Sequence, residues 1–89
     1  MIVELDIFHQ LGKRIVYLRK KRHMSSLDLA VEAGVNKTYL SDLERGKRNP
    51  TVYVLRKIAI ALEIDMSELF VGIRDYTLPG DDLKVAPKK

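Results

Sequence analysis

The chain has 89 residues, 46% of them hydrophobic, and a formal net charge of +4. That length supports one compact domain and excludes a TIM barrel or a doubly wound dinucleotide fold. The absence of cysteine excludes a disulfide framework, a thiol nucleophile and a Cys-based zinc site. No apolar run approaches the ~18–20 residues of a membrane span. Met1–Gln10 carries Glu4 and Asp6 and no basic residue before an apolar block, unlike a signal peptide. A soluble protein of a reducing cytoplasm, with no membrane partner, is expected. Charge is uneven. Residues 1–62 hold twelve Lys/Arg against six Asp/Glu, and residues 63–89 hold four against six. A basic first part of this kind points to a polyanionic partner or to a solvated helix face.

Five helices are predicted, giving an all-α domain. The first covers about residues 5–22, where Leu5, Phe8, Leu11, Ile15 and Leu18 form one apolar stripe at helical spacing. Lys13, Lys20 and Lys21 lie away from that stripe, and Arg19 borders it. The second covers 26–33. Ser25 with Asp28 has capping-box spacing, and Gly34 suits the C-terminal stop. The third runs from 37 to about 45 behind the N-cap Asn36, with Leu40 and Leu43 inward and Gly46 ending it. Only Gly34, Val35 and Asn36 join helices two and three, so these must cross steeply.

Asn49-Pro50 breaks the chain, and Thr51 caps a fourth helix over 52–62 with Leu55, Ile58, Ala59 and Leu62 inward. Asp65 and Glu68 repeat the capping-box spacing before a short fifth helix near 66–71. The domain is therefore expected over 1–71. Residues 72–89 form a tail, locally extended at Tyr76-Thr77-Leu78 and turning at Pro79-Gly80. There is no internal repeat.

The segment Leu11-Gly12-Lys13-Arg14-Ile15, the run from Ala30 to Gly46, Asn49-Pro50-Thr51 and Met66-Ser67-Glu68-Leu69-Phe70 together resemble the Cro/C1-type helix-turn-helix family of phage and bacterial repressors. The resemblance covers about 60 residues and implies a compact Cro/C1 repressor-like fold. Within the family, Lys37-Thr38-Tyr39, Glu44-Arg45 and Lys47-Arg48-Asn49 look most like the controller proteins of restriction–modification systems. The implied function is sequence-specific regulation of transcription by a homodimer on a partly palindromic operator near its own gene. Whether it represses or activates is not written in the sequence. The chain leaves no room for a ligand-sensing domain, so protein concentration is expected to set the response.

The resemblance also assigns roles. The second helix of the pair lies in the major groove of double-stranded DNA, its N-terminal side chains reaching base edges. Because Leu40 and Leu43 face the core, Lys37, Thr38, Ser41 and Asp42 share the solvent side and are the candidate base readers. Lys37 can donate to guanine, Thr38 and Ser41 can bond a base, and Asp42 can accept from cytosine N4. The alternative for Asp42 is an ion pair with Arg45. Phosphate contacts are expected from helix N-termini and flanking loops, at Ser25, Ser26, Asn36, Tyr39, Lys47 and Arg48. Ser26 departs from the family, which commonly has Gln there, and a hydroxyl reaches less far. The family pairs the positions of Arg19 and Glu44 in a structural salt bridge.

Tyr53, Ile60 and Ile64 form a second apolar set on helix four. With Leu69, Val71 and Ile73 they are the candidate dimer interface, the alternative being that the tail folds over them. His9 and His23 have no metal-binding spacing, Ser25, Ser26 and Asp28 serve better as caps than as a catalytic set, and the lone glycines form no phosphate loop. No catalytic residue, metal or cofactor is therefore assigned, and an enzyme is not the reading. The rival class is a protein-interaction module: an antitoxin, or a repressor bound by a protein antagonist, with RNA polymerase as a further conceivable partner.

Overall fold

The computed structural model describes residues 3–4, 6–74 and 76–77. Four α-helices follow one another: α1 (Ile7–Lys21), α2 (Ser26–Ala33), α3 (Lys37–Glu44) and α4 (Val52–Leu62). A 3₁₀ helix, Met66–Phe70, takes the place of the expected fifth α-helix. Two short strands, β1 (Val3–Glu4) and β2 (Tyr76–Thr77), pair antiparallel with Val3 opposite Thr77. No helix among the described residues is long and apolar enough to cross a membrane.

Side-chain caps set most of the helix starts. Asp6 accepts from the amides of Phe8 and His9, each at 3.1 Å, so α1 begins later than the apolar stripe alone predicts. The stripe's first member, Leu5, lies outside the described residues. Ser25 and Asp28 form the reciprocal capping box, the Asp28 amide donating to Ser25 Oγ at 3.0 Å and the Ser25 amide to Asp28 Oδ2 at 2.9 Å. Those two bonds favour the ionised carboxyl and hold Asp28 below the usual carboxylate range, the Ser25 backbone amide contributing most. Asn36 and Thr51 cap α3 and α4 through the amides of Tyr39 and Val54.

The Asp65–Glu68 box does not form. Asp65 makes no side-chain cap bond: the Glu68 amide donates to the Asp65 backbone carbonyl at 3.0 Å, and the rest of Glu68 is tied to α1. Its carbonyl accepts from Arg14 Nε at 2.8 Å and its carboxylate from Arg14 Nη2 at 3.3 Å. The Glu68 side chain thus meets a partner 54 residues away in sequence.

Among the described residues thirteen apolar side chains make the core, with Ile15, Leu29, Leu40, Leu43, Ile58, Leu62 and Leu69 shielded completely. Helix α1 packs on α3, α2 packs on α3 and α4, and the 3₁₀ helix closes the end between α1 and α4. The turn from α2 to α3 is as tight as expected: Gly34 takes φ +68°, and the amides of Gly34 and Val35 return to the carbonyls of Val31 and Ala30. Past the 3₁₀ helix the chain returns to α1. Arg74 donates its amide to Gln10 Oε1 at 3.0 Å and accepts from Gln10 Nε2 at 2.5 Å. Ile73 packs against the core. Residues 78–89, including the expected Pro79-Gly80 turn, lie outside the described residues.

Helix α1 approaches the end of α3 at Gly12. A Cβ there would stand 2.6 Å from the Leu43 carbonyl oxygen, a backbone atom that cannot rotate away. Alanine is favoured over glycine in a helix interior by about 1 kcal/mol, so propensity and packing oppose each other. Gly12→Ala is expected to lower the urea midpoint, with a net loss of about 1–3 kcal/mol as in overpacked cores. An unchanged or raised midpoint would show that α1 and α3 can separate at no cost.

Candidate nucleic-acid interface

The outward side of α3 is a narrow polar strip. Leu40 and Leu43 are buried, which turns Lys37, Thr38, Ser41 and Asp42 away from the core. Lys37 and Thr38 are exposed, while Ser41 and Asp42 are half-buried. The Lys37 ammonium lies 3.5 Å from Ser41 Oγ, one helical turn on.

Asp42 has both carboxylate oxygens occupied. Oδ1 accepts from Arg45 Nη2 at 2.7 Å and Oδ2 from Arg48 Nη2 at 3.2 Å. The Arg45 pair is the intrahelical alternative seen in the sequence. The Arg48 pair comes from the loop after α3. Arg48 also lies over the Tyr39 ring, 5.1 Å from its centroid, and Tyr39 itself packs partly on the core. Sequence spacing signals Asp42–Arg45. Nothing local signals the stacking of Arg48 on Tyr39, which depends on how the loop turns back.

The residues expected to meet phosphate divide into two groups. Lys47 and Arg48 are exposed cations beside the strip. The side chains of Ser25 and Asn36 accept cap bonds, so what these positions offer an anion is the helix N-terminus around them, whose first amides have no intrahelical acceptor. Ser26 differs from expectation. Its Oγ is buried without a hydrogen-bond partner, and a hydroxyl in that position has no surface to present to a phosphate.

A rigid mount holds the strip. Arg19 of α1 meets Glu44 at the end of α3 through two bonds, Nε to Oε2 at 2.7 Å and Nη2 to Oε1 at 3.1 Å. Arg19 Nη1 also donates to the Met24 carbonyl at 3.2 Å. The two side chains are only 13% and 9% exposed. One guanidinium therefore joins α1, the turn into α2 and the end of α3.

The candidate dimer residues fall apart in the structure. Tyr53, Ile60 and Val71 are 63%, 59% and 52% exposed. Ile64 and Ile73 are half-buried against the core. Leu69 is wholly buried and has no surface left for a partner, because the 3₁₀ helix turns it under α1 and α4. Val52 and Phe70 are further exposed apolar residues, outside that candidate set. His9 and His23 are both exposed.

Comparison with known proteins extends this geometry. The Helix-turn-helix family model matches residues 15–69. The chain belongs to the helix-turn-helix family. The "HTH-type transcriptional regulator SlrR" of Bacillus subtilis is 46% identical over 61 residues, 67% of this chain but 40% of that protein. The chain thus spans well under half of that relative. Two solved helix-turn-helix structures superpose closely. The restriction-modification controller protein C.AhdI from Aeromonas hydrophila has a TM-score of 0.70 and 35% identity, covering 71% of this chain and 96% of that one. The master regulator for biofilm formation SinR, solved in complex with DNA, has a TM-score of 0.65 and 38% identity, covering 67% of this chain and 97% of that one. The matched residues include α2, α3 and the short turn that joins them.

The buried pair dictates a stability test. Arg19→Met leaves a shielded carboxylate unpaired and is expected to cost about 3–5 kcal/mol. The double variant Arg19→Met, Glu44→Leu should recover most of that loss in chemical denaturation. Equal losses in the single and double variants would mean that the pair contributes packing area rather than charge balance.

Proposed function

We propose that this chain is a sequence-specific DNA-binding regulator of transcription, not an enzyme, and that it acts as a homodimer on a partly palindromic operator near its own gene. One observation carries the reading: the second helix of the pair presents Lys37, Thr38 and Ser41 on a strip braced by Arg19–Glu44 and flanked by Lys47 and Arg48. In the major groove, Thr38 and Ser41 offer hydroxyls to base edges and Lys37 a donor to guanine O6 or N7. Lys47, Arg48 and the N-termini of α2 and α3 contact phosphates and set register. The likeness to C.AhdI supports control of restriction–modification genes as the context, and a nuclease or methylase gene beside this one would agree with it.

The homodimer reading rests on the exposed face of α4, where Tyr53 and Ile60 stand clear of the core. A two-fold axis through that face would present two copies of α3 to successive major grooves, ~34 Å apart. A second reading, a module whose main partner is another protein, is favoured by Leu27 and Val31, which expose apolar surface on α2. A second chain that co-purifies in fixed ratio would select it.

Footprinting on DNA upstream of the gene is expected to protect two half-sites about one turn apart. Thr38→Ala should alter preference at one base position at a cost of about 1–3 kcal/mol there. Arg48→Ala should weaken binding to the operator and flatten the salt dependence there by about 0.9 in log–log slope. Unchanged specificity in Thr38→Ala would place the reading surface elsewhere.

Ile60→Glu is expected to give a monomer in sedimentation with unchanged helicity. A dimer that survives Ile60→Glu would move the interface off α4.

A further inference from the structure

The strip that would face DNA contains one carboxylate, and it holds the two nearest arginines. Asp42 binds Arg45 at 2.7 Å and Arg48 at 3.2 Å through separate oxygens, while its backbone carbonyl accepts from the amides of Arg45 and Lys47. Arg48 is further held over Tyr39. The Asp42 side chain is 21% exposed, whereas Arg45 and Arg48 are about half exposed, so the cations can be reached by an outside anion and the carboxylate much less.

We infer that Asp42 is a specificity-determining residue that acts through Arg45 and Arg48. On DNA of arbitrary sequence, affinity comes from mobile cations meeting phosphates. Here a phosphate must compete with an internal carboxylate for both arginines, and an arginine that leaves Asp42 strands a negative charge beside the DNA backbone. At a cognate site α3 is seated in the groove, and Arg48 is already ordered by Asp42 and Tyr39 where the loop meets the backbone. That contact then costs little ordering entropy. Asp42 therefore weakens loose binding more than seated binding, and discrimination rises without any new base contact. Exposed ion pairs are weak enough to exchange, so the arrangement restrains the arginines without removing them from use.

This inference rests on the DNA-binding reading, and the test separates the two. A high-affinity duplex is selected from a random pool with the wild-type chain. Affinities for that duplex and for a random-sequence duplex are then measured across salt for the wild type, Asp42→Asn, Asp42→Glu and Glu32→Gln. Glu32→Gln makes the same change in formal charge at an exposed α2 position. Asp42→Asn is expected to bind random duplex about 3–10-fold tighter, with a log–log salt slope steeper by about one. Its selected-to-random ratio should fall by the same factor, about 3–10-fold, the order of one extra phosphate contact. Asp42→Glu should return the ratio toward the wild type, and Glu32→Gln should leave it unchanged. Loss of affinity for the selected duplex alone would make Asp42 a direct base reader and overturn the inference. Equal effects of Asp42→Asn and Glu32→Gln would reduce it to bulk charge and overturn it too. A wild-type chain that selects no duplex refutes the DNA-binding reading itself, before any variant is made. Thermal unfolding followed by circular dichroism identifies a variant that fails to fold, in which case Asp42→Glu alone decides the matter.

Discussion

The placement of α3 depends on its contact with α1. Gly12 lets the two backbones approach until a Cβ would touch the Leu43 carbonyl, and seven residues further along α1 Arg19 closes on Glu44 with two charge-assisted bonds. Such a pair is not a cheap source of stability, since its desolvation cost can equal its Coulombic gain. What it supplies is position. A shielded guanidinium with planar, forked donors accepts one geometry of carboxylate, and that geometry orients the outward strip of α3. The Arg19 bond to the Met24 carbonyl ties the entry to α2 to the same point. Three elements are thus referred to one side chain.

Around that mount, the surface is divided by charge chemistry. Lys37, Lys47 and the helix N-termini are open to an anion, while Arg45 and Arg48 are shared with Asp42. The caps that begin α2 and α3 consume the side chains of Ser25 and Asn36 and leave the first-turn amides pointing outward. One set of residues therefore starts the helices and also builds their anion-attracting ends. The exposed apolar residues of α4, Tyr53 and Ile60, are not among the residues of the strip.

Much of this was legible in the sequence because it is local. Apolar spacing placed α1 to α4, Ser25–Asp28 and Asn36 carried their capping signals, and Gly34 marked its turn. The Asp42–Arg45 pair follows from i,i+3 spacing on a helix. Resemblance to the helix-turn-helix family supplied the one long-range pair that was anticipated, Arg19 with Glu44. The misses share a cause. Arg14–Glu68 and Gln10–Arg74 join residues 54 and 64 positions apart, and no periodicity reports such contacts. The Glu68 carboxylate meets Arg14, and the expected fifth helix is a 3₁₀ turn.

By itself, then, the sequence determined the helix order, the caps of α2, α3 and α4, the inward stripes and the basic bias of the first part, since each is set by neighbours within a few residues. Tertiary structure alone decided three things. Leu69 belongs to the core and not to an interface, because the 3₁₀ helix turns it beneath α1 and α4. Ser26 Oγ faces inward, because burial depends on what packs over a position as well as on its place in a helix. Arg48 is ordered between Asp42 and Tyr39, because a loop's side chains find their partners only once the helix beside it has been fixed.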